Sequence, residues 1–208
     1  MNQNNQTILY YVHDPMCSWC WAFVPTWERI QHKLPGHIEV RYVMGGLAPD
    51  SDAAMPQQMQ NAIRGYWKEI QKRVPGTEFN FDFWKKCKPR RATYPSCRAV
   101  IAARSQNPDK EQPMIRAIQE AYYLQAKNPS DDSTLIEIAG KLGLNEEYFA
   151  KDLNSPHTNK VMKAEQRLSA EVGAQGFPSL ILQTSRGYQQ LMLDYNNASV
   201  VLKQLNGQ

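Results

Sequence analysis

Two cysteines three positions apart, Cys17-Ser18-Trp19-Cys20, are the residues best placed to do chemistry. Ahead of them Thr7-Ile8-Leu9-Tyr10-Tyr11-Val12 is a short apolar, β-branched and aromatic run, the pattern of a buried strand. Behind them Trp21 to Ile30 carries apolar residues at helical spacing. A Cys-x-x-Cys at a strand-to-helix junction is a redox address. Residues three apart on a helix share a face, which brings the pair within the Cα separation of about 4.4–6.8 Å that a disulfide requires. The first cysteine meets the free N–H groups and the dipole of the helix start, which favours thiolate over thiol. The second lies a turn inside, shielded and placed to resolve a mixed disulfide. The competing chemistry is half of a zinc site, since the spacing also suits a metal. The remaining pair, Cys87 and Cys97, stands too far apart on unlike segments to complete one, and no metal site is expected.

At 208 residues the chain buries a core without help from disulfides or metals. Apolar side chains make up 42% and the formal charge is +4, which tolerates anionic partners but gives no reason to expect nucleic acid. Residues 1–6 form a polar tail without the marks of a secretory signal, and no stretch is apolar enough to span a membrane. The expected compartment is therefore the cytoplasm, where a Cys-x-x-Cys is more often catalytic than structural.

Leu34-Pro35-Gly36 turns the chain into the alternating strand 37–44, completing a βαβ unit with parallel strands. From there to about residue 172 the reading is helical. A stripe from Met55 to Val74 is followed by aromatic-rich 79–84, a basic loop from Lys85 to Arg91, and helices near 96–106, 110–127, 132–142, 146–153 and from Pro156 to Gly173. Strands return at 179–184 and 188–193, joined by Ser185-Arg186-Gly187, and a short helix after Asn196-Asn197 ends the chain. Neither set of strands can hold a core alone, so both ends must share one sheet. The boundaries that follow are a discontinuous domain over 7–48 and 174–206, with a helical insertion over 49–173.

This order of elements, with Cys17-Ser18-Trp19-Cys20 on a strand-to-helix turn and Phe177-Pro178 before a late strand, resembles the DsbA-like branch of the thioredoxin fold. The run Asp14 to Trp21, with Tyr94-Pro95-Ser96-Cys97-Arg98-Ala99, is similar to the FrnE-type disulfide isomerases within it. The resemblance implies an α/β thioredoxin-like fold with a long all-helical insertion, and a cis bond before Pro178, which would lie against the dithiol. It also implies a thiol–disulfide oxidoreductase of isomerase type with Cys17 as nucleophile and Cys20 resolving. No cofactor is expected beyond the dithiol. The expected partners are protein or small-molecule thiols and disulfides, with glutathione as a candidate co-substrate.

Two departures from the family stand out. Ser18-Trp19 replaces the Pro-His of strongly oxidising members, so a less oxidising couple is expected. The acid often buried in the strand beneath the site has no clear counterpart, because Tyr11 stands there; Asp14 or His13 is left to move protons. Trp19, Phe177 and Pro178 are expected to form the surface on which an extended substrate rests, with Trp21 and Trp27 in the core. Cys97 reads as a small buried hydrophobe. The cations around Cys87 would lower its pKa if it were exposed; the stretch reads first as a solvated basic loop, and in the sharper alternative as a docking site for an anion such as glutathione. His32, His37 and His157 read as surface residues. Two other functions compete: a glutathione-dependent isomerase or transferase of the kappa or hydroxychromene-carboxylate type, whose members usually have Ser where Cys17 stands, and a non-catalytic peptide-binding holdase.

Overall fold

The computed structural model describes residues 7–206; the polar stretch 1–6 lies outside them. Four strands form one sheet in the order β2-β1-β3-β4. The central strand β1 (Thr7–His13) pairs in parallel with β2 (Ile38–Met44), from Thr7 opposite Ile38 to His13 opposite Met44. Its other edge pairs antiparallel with β3 (Ser179–Thr184), Ile8 facing Gln183 and Val12 facing Ser179. The two ends of the chain thus share a sheet. The hairpin closes on β4 (Gly187–Gln190), shorter than the expected 188–193; the Leu191 N–H still donates to the Leu180 carbonyl at 2.8 Å with its side chain buried, and regular pairing stops there.

Because strand side chains alternate, β1 feeds two cores. Leu9 and Tyr11 face helix α1 (Ser18–Gln31), packing with Phe23, Trp27, Leu180 and Leu182. Ile8, Tyr10 and Val12 face the opposite way, with Val43, Ile181 and Val172. Burial on both faces explains why β1 reads as a continuous apolar run.

Between β2 and β3 lie α2 (Gln57–Arg73), the single turn α3 (Phe83–Lys86), α4 (Tyr94–Gln106), α5 (Glu111–Tyr123), α6 (Asp132–Lys141), α7 (Glu146–Leu153) and α8 (Pro156–Glu171). A 3-10 turn at Pro108–Lys110 leads into α5, which stops short of the expected 127 as the chain turns out through Ala126, at a positive φ of 53°. The start of α4 falls at Tyr94, ahead of the expected 96, because Pro95 suits a first turn. Ser155 caps α8 by accepting from the Thr158 N–H at 3.1 Å. The chain closes with α9 (Ser199–Asn206).

Two further cores hold the helices. In one, Cys97, Val100 and Ile101 of α4 meet Met114, Ile118, Leu135, Phe149 and Met162. The other is aromatic and joins the start of α1 to the insertion. Trp67 is wholly buried there, stacked on Phe79 at 4.9 Å and edge-on to Tyr122 and Tyr123 at 5.6 Å, while Tyr123 stacks on Trp21 of α1 at 5.6 Å. Since Met16 and Ala22 belong to this cluster, it underlies the dithiol turn. Trp67→Ala is expected to cost about 3–5 kcal/mol, read as a lower denaturation midpoint in urea.

Candidate functional site

At the end of β1 the chain makes a tight turn through Asp14-Pro15-Met16, closed by the Cys17 N–H donating to the Asp14 carbonyl at 2.9 Å. Cys17 is extended (φ −79°, ψ 116°) and forms the N-cap of α1, whose first turn carries no acidic residue to satisfy its N–H groups. Its carbonyl accepts from the Trp21 N–H at 3.0 Å, the first helical bond. Both Cys17 and Cys20 are free thiols. Cys17 is 6% exposed and Cys20 fully buried. The Cys17 thiol donates to the Phe177 carbonyl at 3.5 Å, across 160 residues of sequence, and the Phe177–Pro178 bond is cis as expected. Burial pushes the Cys20 thiol well above its ordinary range, and its hydrogen bond with Cys17 pushes it further. Cys20 is therefore held as a thiol until something removes its proton.

Asp14 ties the turn to the rest of the molecule. Its buried carboxyl accepts from the Met16 N–H (2.8 Å) through one oxygen, and from the Leu47 N–H (2.8 Å) and the Thr93 hydroxyl (2.6 Å) through the other. Burial raises its pKa, and these hydrogen bonds offset part of that rise. The field of Asp14 reaches both Cys20 and Cys97, and Cys97 also hydrogen-bonds to it. Cys97 is fully buried, as expected, but as a neighbour of this carboxyl.

Of the two groups left to move protons, the structure separates them. Asp14 directly follows the last residue of β1 and is a buried acid in the electrostatic reach of Cys20. His13 is buried and, with burial lowering its pKa to about 3, stays neutral, so it is no proton donor to the dithiol at ordinary pH. Tyr11 packs towards α1, its ring centroid 4.7 Å from that of Trp27.

Trp19 and Phe177, both half-buried, come together: with Val74 and Tyr195 they line an open cavity of about 480 Å³ rimmed by Arg73 and Asp194. Trp19 meets Tyr195 edge-on at 5.0 Å. Pro178 is buried and lies outside this lining. Sequence reasoning misses Tyr195, Thr93 and the part played by Gly45. A Cβ on Gly45 would overlap the Phe177 ring, so glycine there is what seats that ring. Cys87 departs from expectation: its thiol donates to the Ala126 carbonyl at 3.1 Å, and burial, then Asp131, raises its pKa despite Lys86. The surrounding charge is partly neutralised locally, Lys86 pairing with Asp82 (2.9 Å) and Arg90 with Asp131 (2.7 Å).

A dithiol at a helix N-terminus, faced by the carbonyl before a cis-proline on a four-stranded sheet with a helical insertion, defines the DsbA-like class of thioredoxin folds. The family pattern described as Thioredoxin spans residues 10–201, and the chain belongs to that family. A candidate protein disulfide isomerase from Nitrosomonas europaea superposes with a TM-score of 0.82 at 26% identity, over 97% of this chain and 96% of that one. The cytosolic disulfide reductase DsbM from Pseudomonas aeruginosa shares the fold, with a TM-score of 0.77 at 23% identity, over 97% and 100%, and with 0.74 at 22%, over 96% and 99%, in its structure with GSH. The ClpXP adapter protein SpxH of Halalkalibacterium halodurans is 23% identical over 177 residues, which is 83% of this chain but 57% of that protein. The chain thus spans little more than half the length of this curated relative.

Gly45→Ala is expected to cost about 1–3 kcal/mol through overpacking. In a Phe177→Ala background most of that cost should vanish, a coupling that a double-mutant cycle of unfolding free energies measures.

Proposed function

We propose that the protein is a thiol–disulfide oxidoreductase. The observation that carries this is the placement of Cys17, at the uncapped N-terminus of α1 with its thiol against the Phe177 carbonyl and Cys20 one turn inside. The Cys17 thiolate attacks one sulfur of a substrate disulfide, forming a mixed disulfide and releasing the other sulfur as a thiolate. Cys20 then gives its proton to Asp14 and attacks the Cys17 sulfur, expelling the second substrate thiolate and leaving a Cys17–Cys20 disulfide. The substrate gains the two electrons that the dithiol loses. Starting oxidised, the same steps run in reverse, and isomerisation needs only the first attack and a return.

Substrate chemistry follows from the surroundings. The carbonyl of Phe177 and the apolar wall of Trp19, Tyr195 and Val74 suit an extended segment of a protein partner, with main-chain pairing near Phe177. Glutathione is a fitting small co-substrate, in keeping with the DsbM structure that contains GSH. The dithiol needs no further cofactor, and a reducing cytoplasm suits a Cys-x-x-Cys that works as a redox couple; among the described residues no helix is long and apolar enough to cross a membrane. A kappa-type glutathione transferase is disfavoured because both cysteines are present. The SpxH relatives favour a second reading, protein binding without catalysis, on the same apolar wall.

Cys17→Ser is expected to abolish disulfide exchange and Cys20→Ser to accumulate mixed disulfides, both read by mass spectrometry after acid quench. Normal exchange by Cys17→Ser defeats the reading. A double Cys→Ser variant that still captures a partner favours adapter-like binding. Asp14→Asn should slow resolution by about 100-fold at neutral pH while Cys17 alkylation by iodoacetamide changes little. In the parent protein resolution should slow as pH falls through the raised Asp14 pKa, because a protonated carboxyl accepts no proton.

A further inference from the structure

A second cavity, of about 580 Å³, lies between α1, α5 and the β1–β2 side of the sheet. Its walls include Tyr11, His13, Trp27, Tyr42, Ile115 and Gln119. It shares no lining residue with the cavity beside Trp19, and neither active-site cysteine lines it. Its volume falls in the range of small-molecule sites, about 300–1,000 Å³.

His13 is the reason to look for a ligand. It is 1% exposed, lies between the rings of Tyr11 (4.9 Å, stacked) and Tyr42 (5.7 Å, edge-on), and neither ring nitrogen has a hydrogen-bond partner among the described residues. A neutral imidazole offers one N–H and one lone pair, and buried polar groups are rarely left without partners. Beside it the Tyr42 hydroxyl accepts from Trp27 Nε1 and Gln31 Nε2, both at 3.0 Å. Its two lone pairs are thereby used and its O–H remains to donate. Burial holds Tyr42 up at about 12, so that proton stays in place.

The rim decides the charge of the occupant. Glu28, Asp109 and Glu111 line it, and Glu111 is paired with Arg104 at 2.8 Å. The lining cation, Arg116, is engaged by Glu120 at 2.7 Å and Glu28 at 3.5 Å and lies over the Trp21 ring at 5.2 Å, bridging α1 and α5. An anion is disfavoured there. The aromatic walls favour a flat ring.

We infer that this cavity binds an uncharged aromatic small molecule carrying a phenol- or amide-type group, held by the His13 imidazole and the Tyr42 hydroxyl. The site is independent of the redox reading, since binding is measured without turnover. The test is a titration of the full-length protein, labelled in its histidine rings, with phenol and benzamide as probes and benzoate as the anionic control, followed by NMR. A saturable shift of the His13 ring by phenol or benzamide, with benzoate about tenfold weaker, supports the site. Val24→Trp, which fills the cavity from α1, should remove the shift while circular dichroism stays unchanged, and His13→Phe should weaken binding, read by Trp fluorescence, about tenfold. No saturable shift up to the solubility of either probe, or binding unaltered in Val24→Trp, overturns the proposal and leaves the cavity to water.

Discussion

The carboxyl of Asp14 is the interaction on which the rest of the arrangement depends. Its own dithiol turn reaches it through Met16, and two segments distant in sequence do so as well: the loop after β2 through Leu47 and the approach to α4 through Thr93. Thr93 also accepts from the Ala48 N–H at 3.1 Å, and the Thr93 N–H donates to the Ala48 carbonyl at 3.0 Å, so the same knot fastens the insertion to the sheet. A buried carboxyl without such donors would be costly. With them it fixes the turn that presents Cys17, and its negative field makes a second thiolate nearby harder to form. Asp14 thus sets the position of the dithiol and adds to the rise in Cys20 proton affinity that burial and Cys17 already cause.

The aromatic core beneath the turn complements that knot. Trp67, Tyr122 and Tyr123 place a rigid floor under Met16 and Trp21, while Tyr11, Leu180 and Leu182 support α1 from the sheet. The dithiol is held between two rigid packings rather than on a free loop. Its exposed side is left to Trp19, Tyr195 and the Phe177 ring, which are only partly buried.

Much of this is legible in the sequence because it rests on local patterns. The strand-turn-helix around Cys17, the parallel partner at 38–44, the succession of helices and the returning hairpin all leave periodicities or Gly and Pro punctuation. The anchoring role of Asp14 leaves none. It depends on Thr93, 79 positions away, so that the sequence offers Asp14 only as one of two nearby groups able to move protons and not as the anchor of the turn. Tyr195 and Gly45 escape for the same reason: each matters only through a ring brought close by the fold. Cys87 misleads because neighbouring lysines are visible in sequence, whereas the carbonyl of Ala126 that receives its thiol is not.

The partner of Cys17 across the sheet comes late. Its thiol meets the carbonyl of a residue 160 positions further on, and β1 cannot pair with β3 until that stretch exists. At ribosomal elongation of roughly 5–20 residues per second, about 10–30 s separate the emergence of the two. During that interval the nascent chain carries its cysteine pair on an unfinished sheet edge, open to oxidants and to other nascent thiols. The late-arriving strand therefore both completes the fold and ends this exposure.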